Sequence, residues 1–310
     1  MDVFDATPKV KRANRLPENP QKDEKMGRFP KWLHRPLPKG DNLFETNEIL
    51  KTHALSTVCE EAKCPNRFEC YSKHTATFLV LGSACTRQCG FCDIDFSKKP
   101  VKPDPKEPEN IAKCVKDLKL NHIVITMVAR DDMEDGGANH LVKIIQALKK
   151  EVPQATLEFL TSDFDGKFDS IDIFLNEPIE ILNHNIETVR RLTPRVRNRA
   201  EYDRTLSVLK YFKDKSNSLI KSGIMVGFGE SEGEVFETIE DLKNVGCDII
   251  TIGQYLQASR DRANVKEFVT PQQFKKYEDY GKKIGVKHMY CGPFVRSSYN
   301  AEKLLKMING

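Results

Sequence analysis

Six of the nine cysteines fall in two short runs whose spacing is typical of iron–sulfur chemistry. The runs are Cys59-x4-Cys64-x5-Cys70 and Cys85-x3-Cys89-x2-Cys92, and Arg296-Ser297-Ser298-Tyr299 near the C-terminus completes the set. Three thiolates on one loop can bind three irons of a four-iron cluster and leave the fourth iron without a protein ligand. An open coordination position is where a metal centre does chemistry. The pattern therefore predicts an enzyme with two iron–sulfur clusters.

Zinc is the alternative occupant of the second run, because Cys89-x2-Cys92 alone is the commonest zinc half-site. A second half-site at a suitable distance is missing from the sequence. The additional Cys85, the apolar segment before it and Phe91 beside the last ligand all favour a cluster over zinc.

The composition indicates a globular protein of a reducing compartment. With 310 residues and 39% hydrophobic residues, the chain can hold one large α/β barrel or two ordinary domains. The odd number of cysteines and an N-terminus without a signal-peptide pattern argue against disulfides, so we expect a cytoplasmic location. The sequence has no apolar run long enough to span a membrane, and a net charge of +4 is too small to indicate nucleic-acid binding.

Short apolar runs alternate with amphipathic stretches from Thr75 onward, which is typical of repeated βα units around a parallel sheet. The predicted strands are Thr75–Leu81, His122–Val128, Thr156–Thr161, Ile179–Leu182, Ile220–Val226 and Asp248–Ile252. The predicted helices are Pro108–Leu120, Asn139–Lys150, Tyr202–Lys213, Glu232–Val245 and Pro271–Ile284, and Gly246 and Gly285 are predicted to end the last two. Six units are too few to close a barrel. We therefore predict an α/β fold, a partial (β/α)6 TIM-like barrel with N-terminal and C-terminal extensions covering the open side.

Three parts of the chain follow from this pattern: an N-terminal arm with the first cysteine run (residues 1–73), the barrel (74–290) and a C-terminal tail (291–310). The prolines of residues 1–40 predict an extended arm with little helix. The arm carries ten Lys or Arg against five Asp or Glu. These basic side chains either bind an acidic protein partner or face solvent.

The position of the second cysteine run, after the first strand of a βα series, resembles the radical S-adenosylmethionine superfamily. Further motifs narrow the resemblance to the lipoyl synthase family, from about Arg28 to Asn300. These motifs are Cys59–Cys70, the loop Asp131-Asp132-Met133-Glu134-Asp135-Gly136-Gly137-Ala138, Asn183-His184-Asn185-x-Glu187-Thr188-Val189, Thr251-x-Gly253-Gln254-Tyr255-Leu256 and Arg296-Ser297-Ser298-Tyr299.

The resemblance implies a radical mechanism. The cluster held by Cys85, Cys89 and Cys92 binds S-adenosylmethionine at its open iron, and one electron cleaves the cofactor to methionine and a 5′-deoxyadenosyl radical. An auxiliary [4Fe-4S] cluster is held by Cys59, Cys64, Cys70 and Ser298, although sequence alone would make Ser298 an ordinary tail serine. A hard alkoxide ligand is released from soft iron more readily than a thiolate, which suits a cluster that is dismantled to supply sulfur.

The implied reaction is the insertion of two sulfur atoms, at C6 and C8, into an octanoyl chain on a lysine of a lipoyl carrier domain. Such a carrier is a dehydrogenase E2 subunit or a glycine-cleavage H protein, and an electron donor such as ferredoxin or flavodoxin is implied too. The residues predicted to contact the cofactor are Phe91, Gly136, Gly137, Asn183 and Glu187. The alternative for Gly136 and Gly137 is a turn before a helix.

The sequence leaves open the role of three arginines and two alternative functions for the protein. Arg195, Arg197 and Arg199 either grip a carboxylate or an acidic partner, or form a solvated charge run. A sulfur-inserting enzyme like biotin synthase is one functional alternative, but that family lacks the first cysteine run with the Arg-Ser-Ser-Tyr motif. A two-cluster electron carrier is another, but it would hold each cluster with four protein ligands.

Overall fold

Seven parallel β-strands form the centre of the fold in the computed structural model, which describes residues 29–36, 38 and 40–298. The strands are β1 (Thr77–Val80), β2 (His122–Met127), β3 (Thr156–Leu160), β4 (Ile181–Asn183), β5 (Leu219–Val226), β6 (Ile249–Gln254) and β7 (His288–Gly292). Each strand pairs in parallel with its neighbour in the sequence, so the order across the sheet is β1 to β7 without a crossover. All six predicted strands are present.

Burial on both faces explains why these segments form a parallel sheet. Every residue of β1, β2 and β6 is buried. Strands of parallel sheets are apolar in this way because helices cover one face and side chains fill the other. An unbroken order is that of a barrel, whereas the order of a doubly wound sheet reverses at one point. The described residues contain no pairing between β1 and β7, so the barrel is open.

Helices connect the strands and precede the sheet. They are α1 (Asn42–Thr52), α2 (Val58–Glu61), α3 (Arg67–Ser72), α4 (Glu107–Asp117), α5 (Ala138–Glu151), α6 (Phe168–Leu175), α7 (Thr193–Val196), α8 (Tyr202–Lys215), α9 (Glu232–Asn244) and α10 (Pro271–Lys283). Six of them, α4, α5, α6, α8, α9 and α10, each lead from one strand to the next. The structure thus has six βα units followed by a seventh strand, and the predicted partial barrel is confirmed.

Local signals set the ends of the later helices. Ser231 and Glu234 form a reciprocal capping box at the start of α9, and Pro271 occupies the first turn of α10. Gly246 and Gly285 follow these helices with φ values of 94° and 91°. A positive φ favours glycine, so both residues end the helices as predicted.

The prediction lacks α6 and β7 of the barrel, and also α1, α2, α3 and the short α7. Helix α6 spans only eight residues, so its sequence is too short for helical periodicity to identify it. In β7 only Met289 is buried, so the strand lacks the apolar run of its neighbours. Because β7 pairs with β6 as far as Gly292, the sheet extends two residues beyond the barrel boundary predicted at residue 290.

Part of the N-terminal region lies along the free edge of β1. Thr57 forms an antiparallel bridge with Phe78, and the Leu79 amide donates to the Ser56 carbonyl oxygen at 2.9 Å. These bonds pair backbone groups of an edge strand that would otherwise be unpaired. The predicted cover over the open side is therefore present at the β1 edge. Most of the proline-rich arm, including residues 1–28, lies outside the described residues.

The C-terminal segment (residues 293–298) covers the barrel from the other side. The Pro293 carbonyl oxygen accepts from the Gln254 amide at 3.3 Å, and Asn66 Nδ2 donates to the Phe294 carbonyl oxygen at 2.8 Å. The guanidinium of Arg35 stacks over the Phe294 ring at 3.5 Å. Segments from both ends of the chain therefore meet over the opening.

A charged pair lies inside the barrel. Lys221 Nζ contacts both carboxylate oxygens of Glu158, at 2.9 and 3.0 Å, and neither side chain is more than 1% exposed. Asn183 Nδ2 also donates to Glu158 Oε1 at 2.9 Å, and His122 Nε2 lies 3.5 Å from Oε2. Buried charges are tolerated when each is paired and hydrogen-bonded in this way.

We expect Glu158 to make the fold less stable as the pH falls from about 4.5 to about 2. Burial opposes ionisation of Glu158, but Lys221 and His122 outweigh it and hold its pKa at about 2 instead of 4.5. Between these values the unfolded chain binds the proton that the folded protein excludes, so the free energy of unfolding decreases with pH. Urea unfolding across this range measures the slope. Glu158→Gln should flatten it, and an equal slope in both proteins would contradict the prediction.

Candidate functional site

The loop Cys85–Cys92 leaves the carboxyl end of β1, as predicted. Its ends are joined because the Cys85 amide donates to the Asp95 carbonyl oxygen at 2.8 Å. Within the loop, the Cys92 amide donates to the Cys89 carbonyl oxygen at 3.2 Å. The loop is therefore compact, and all three of its cysteines line one cavity.

A buried ion-pair network fastens this loop to the ends of two other strands. Arg87 donates two hydrogen bonds to Asp131, from Nε at 2.9 Å and from Nη2 at 2.8 Å. Its Nη2 also lies 2.6 Å from Oδ1 of Asp163, which is fully buried. Burial disfavours the ionised form of Asp163, but Arg87 holds its pKa at about 2. Because Asp131 follows β2 and Asp163 follows β3, three strands fix the position of the loop.

The half-buried thiols of the loop lie close together. Burial, assisted by Cys89 and Cys85, raises the pKa of Cys92 to about 12. Burial also raises the pKa of Cys85 and of Cys89. Such thiols lose their protons only when nearby positive charge compensates, and a bound metal supplies that charge. The loop is therefore suited to binding iron with thiolates.

The cavity beside these thiols has a volume of about 320 Å³, which is enough for a small-molecule ligand. Apolar side chains, including Met127, Ile224 and Tyr255, form much of its wall. Polar groups, including Asn185, Glu187 and Arg197, occupy other positions. A mixed wall of this kind binds a ligand with an apolar part and a few polar groups.

Glu187 places a buried carboxyl group in this wall. Its φ of 66° is rare outside glycine, and its amide donates to the Gly223 carbonyl oxygen at 2.9 Å. Asn185 Nδ2 donates to Glu187 Oε1 at 3.1 Å. Burial raises the pKa of Glu187, although Arg197 acts against that shift. A strained, buried carboxyl group in a cavity wall can bind an ammonium or hydroxyl group of a ligand.

The first cysteine run lines a second cavity, of about 210 Å³. Cys59 lies in α2, Cys70 lies in α3, and Cys64 lies between them, its amide donating to the Cys59 carbonyl oxygen at 3.0 Å. Burial and the neighbouring Cys64 raise the pKa of Cys59 to about 12 and that of Cys70 to about 11. The charge of Cys64 contributes to the raised pKa of both other thiols, so the three thiols lie close enough to form one group.

In the part of the chain that the structure describes, no three His, Cys, Asp or Glu side chains are arranged to hold a single metal ion. The ligands of one zinc ion converge on one atom, whereas the thiolates of a four-iron cluster bind different irons and stand farther apart.

The C-terminal segment connects the two cavities. Cys64, Arg296 and Ser298 line both of them. The segment is held in place by Ser297 Oγ, which donates to Asn185 Oδ1 at 2.7 Å. Tyr299, the last residue of the motif, lies outside the described residues. The structure thus brings Ser298 to the wall that contains Cys59, Cys64 and Cys70.

Gly253 permits the C-terminal segment to pass directly over β6. A β-carbon at Gly253 would lie 1.9 Å from the Val295 carbonyl oxygen, which is too close for any side chain. Gly253→Ala should therefore displace Ser298 from the second cavity. We expect anaerobically reconstituted protein to keep about eight irons per chain, because three thiolates still hold the second cluster, but to lose its oxygen-ligated iron, seen as a changed Mössbauer spectrum.

The matched control for this substitution is Gly233→Ala in α9, where an added β-carbon meets no atom within 4 Å. Alanine stabilises an exposed helix position by up to about 1 kcal/mol over glycine, so this variant should keep the spectrum of the unaltered protein. Mössbauer spectra of both variants measure the effect. Identical spectra in both would show that Ser298 does not depend on Gly253.

Comparison with known proteins identifies the family. Residues 79–254 match the model of the Radical SAM superfamily. The lipoyl synthase of Protochlamydia amoebophila (strain UWE25) is 56% identical over 314 residues, which cover 99% of this chain and 97% of that protein. The lipoyl synthase of Chlamydia muridarum (strain MoPn / Nigg) is 52% identical over 286 residues, which cover 91% and 92% of the two chains. The chain belongs to the lipoyl synthase family. It is an enzyme of the radical SAM superfamily.

Solved structures agree with this fold. Streptococcus suis SuiB bound to S-adenosylmethionine superposes with a TM-score of 0.55 and 14% identity, covering 82% of this chain and 56% of that chain. Methylornithine synthase (PylB) gives a TM-score of 0.50 and 13% identity, covering 84% and 86%. At these identities the likeness concerns the fold alone. None of the helices in the described ranges combines the length and apolar character that a membrane span requires.

The lipoyl synthase family uses S-adenosylmethionine and [4Fe-4S] clusters, and the residues present fit both cofactors. Each cysteine set supplies three soft thiol ligands beside a cavity, as an iron–sulfur cluster requires. The larger cavity adds the carboxyl group of Glu187 and apolar walls for a nucleoside.

Three residues predicted to contact S-adenosylmethionine do not line the larger cavity, namely Gly136, Gly137 and Asn183. A β-carbon at Gly137 would lie 2.5 Å from Leu81, so this glycine lets the start of α5 pack against the end of β1. Gly136 has a positive φ of 59° and packs beneath the Phe164 ring. The pair therefore forms the turn before α5. Asn183 instead donates to Glu158 inside the barrel, whereas Phe91 and Glu187 lie in the cavity wall.

Sequence reasoning missed several residues that shape the site of this lipoyl synthase family member. Arg87 fastens the cluster loop, and its partner Asp131 had been noted only as the first residue of the loop Asp131–Ala138. Arg296 lies between the two cavities, although the Arg-Ser-Ser-Tyr motif had drawn attention to the serine.

Arg197 is buried near Glu187, while Arg195 and Arg199 are exposed, so the three arginines do not act as one charge run. His184 accords with a structural role, since its ring contacts the Thr161 carbonyl oxygen at 2.9 Å.

Proposed function

We propose that the protein inserts two sulfur atoms, at C6 and C8, into an octanoyl chain carried on a lysine of a lipoyl carrier domain. The observation that carries this proposal is the common wall of the two cavities, made of Cys64, Arg296 and Ser298. A substrate in the larger cavity lies against this wall and therefore beside the second cysteine set. Membership of the lipoyl synthase family supports the same reaction.

The two cysteine sets have different roles in this proposal. Cys85, Cys89 and Cys92 hold the catalytic [4Fe-4S] cluster and leave one iron for S-adenosylmethionine. Cys59, Cys64, Cys70 and Ser298 hold the auxiliary [4Fe-4S] cluster. When bound, the first cluster supplies the electron that cleaves S-adenosylmethionine to a 5′-deoxyadenosyl radical, and the second supplies sulfur.

The chain's own side chains position the cofactor and the substrate. Phe91 and Glu187 are the proposed contacts of S-adenosylmethionine, with Glu187 held in place by Asn185. Gly136, Gly137 and Asn183 support these positions indirectly through the packing of α5 and the polar group inside the barrel. Val58, Ala62 and other apolar residues in the wall accommodate an alkyl chain and exclude water from the radical.

We propose three functional parts for the chain: residues 1–73 as the arm and auxiliary-cluster segment, 74–290 as the radical SAM barrel and 291–310 as the tail that supplies Ser298. The carrier is a lipoyl domain such as that of a dehydrogenase E2 subunit or a glycine-cleavage H protein. The electron donor is a ferredoxin or flavodoxin. All nine cysteines are free thiols, which suits the reducing cytoplasm.

Iron and sulfide analysis of anaerobically reconstituted protein, with Mössbauer spectroscopy, tests the cluster assignment. We expect about eight irons per chain, in two four-iron clusters. The same preparation should convert an octanoylated carrier domain to the lipoyl form when S-adenosylmethionine and dithionite are added. About four irons per chain, or bound zinc, would leave one cysteine set without its proposed role.

A further inference from the structure

The outer side of the loop Cys85–Cys92 reaches the protein surface. Gln88 is exposed, and Gly90 is only half-buried. Two other segments contact the backbone of this loop directly. The Gly90 amide donates to the Val196 carbonyl oxygen at 2.9 Å, and the Ala263 amide donates to the Gly90 carbonyl oxygen at 2.8 Å. We call the surface formed by residues 88–90, 195–199 and 259–263 the loop face.

Two acidic side chains beside the loop face, Asp93 and Asp131, point into the protein. Asp93 is only 7% exposed and is bound by Arg262 Nε at 2.8 Å and by Ser259 Oγ at 2.7 Å. Asp131 is equally buried and is bound by Arg87. These carboxylates therefore contribute little negative charge to the surface, because arginine neutralises them from within.

The basic side chains of the loop face point outward. Arg195, Arg199 and Arg260 are all exposed. Among the described residues, Arg195 and Arg260 form no ion pair, and Arg199 reaches Asp131 only at 3.5 Å. The exposed Asp261 lies next to Arg260 in the chain, so arginines outnumber carboxylates by three to one among these residues. The loop face thus presents positive charge around the point where the cysteine loop comes closest to solvent.

The exposed arginines of the loop face lie outside the cavity that a substrate must use. Arg195, Arg199 and Arg260 do not line the larger cavity, whose wall instead includes Val58, Ala62 and Leu256. A carrier domain must deliver its acyl chain through that cavity. A partner that only donates an electron has no need to enter it.

We propose that the loop face is the docking surface of an acidic one-electron carrier protein. The inference rests on the proposed function, in which each cleavage of S-adenosylmethionine consumes one electron. The donor is oxidised by one electron, and the sulfonium–C5′ bond breaks to give methionine and the 5′-deoxyadenosyl radical. Electron-transfer complexes are weak and bury little surface, so a compact face with charge of one sign is sufficient. Docking there places the donor directly over the Cys85–Cys92 loop.

The double variant R195E/R260E tests this docking surface, with reduced flavodoxin as the acidic one-electron donor. The measurement is the initial rate of 5′-deoxyadenosine formation under anaerobic conditions at low donor concentration. We expect the rate with flavodoxin to fall about tenfold or more, because charge reversal removes electrostatic steering. The rate with dithionite should be unchanged. The flavodoxin rate of the unaltered protein should also fall as salt is added, since salt screens exposed charges.

Lys143→Glu is the matched control, because Lys143 is exposed on the outer side of α5 and forms no ion pair among the described residues. It should leave both rates unchanged. A flavodoxin rate that is equal in R195E/R260E and the unaltered protein would overturn the proposal. A loss of lipoyl formation with dithionite would also overturn it, since the face would then bind the carrier domain. If the unaltered protein with dithionite cleaves no S-adenosylmethionine, the proposed function itself fails.

Discussion

Cys59→Ala is expected to keep cleavage of S-adenosylmethionine and to lose lipoyl formation, whereas Cys89→Ala is expected to lose both. Cys89 lies in the loop that follows β1 and lines the larger cavity. Cys59 lies in α2 and lines the smaller cavity only. Removal of Cys59 therefore leaves the cleavage site complete and disables only the sulfur source. Formation of 5′-deoxyadenosine and of lipoyl carrier, measured on the same samples, distinguishes the two steps.

Cys291→Ala is the control for these substitutions, because Cys291 lies in β7 and lines neither cavity. It should retain about eight irons and both activities. Lipoyl product from Cys59→Ala would show that the first cysteine run does not hold the sulfur donor. Cleavage by Cys89→Ala would show that the second run does not hold the catalytic cluster.

Lys221→Met is expected to lower the free energy of unfolding by about 3–5 kcal/mol, because it leaves the Glu158 carboxylate buried without its cation. A cost of that size is a large fraction of the stability of most domains. The double substitution Lys221→Met with Glu158→Met should recover most of the loss, since well-packed apolar side chains can replace a buried ion pair. Denaturant unfolding of the apoprotein measures the free energy of unfolding of the unaltered protein and of both variants.

The control is Lys210→Met in α8, which removes an exposed ion pair with Asp214 at 2.9 Å. Exposed pairs of this kind contribute about 0.5 kcal/mol or less, so the midpoint of unfolding should barely move. Equal losses from Lys210→Met and Lys221→Met would show that burial of the Glu158–Lys221 pair has no special effect on stability.

The parts of the structure that the sequence predicts are those encoded locally. The strand Thr77–Val80 is a short buried apolar run, and the cysteine loop follows it within a few residues. The end of α9 at Gly246 is likewise decided by a single residue with a positive φ. Such local signals can be interpreted without knowing which residues lie on the other side of the barrel.

The parts that escape prediction depend on contacts between distant positions. Asn183 is the last residue of β4, and whether it faces the cavity or the barrel interior depends on the register with β3 and on the position of Glu158. The partners Arg87 and Asp163 lie far apart in the chain and meet only because the strands that precede them curve together in the partial barrel. Ser298 carries no local signal at all, so only the family resemblance could single it out.

The contact of the C-terminal segment with the N-terminal region has a consequence for the order of folding. Phe294 packs against Arg35 and Asn66, and residues 293–298 follow both cysteine runs and the whole barrel in the chain. The barrel and both cysteine runs are therefore synthesised before the segment that covers them. Until that segment folds into place, the thiols of both runs remain open to solvent.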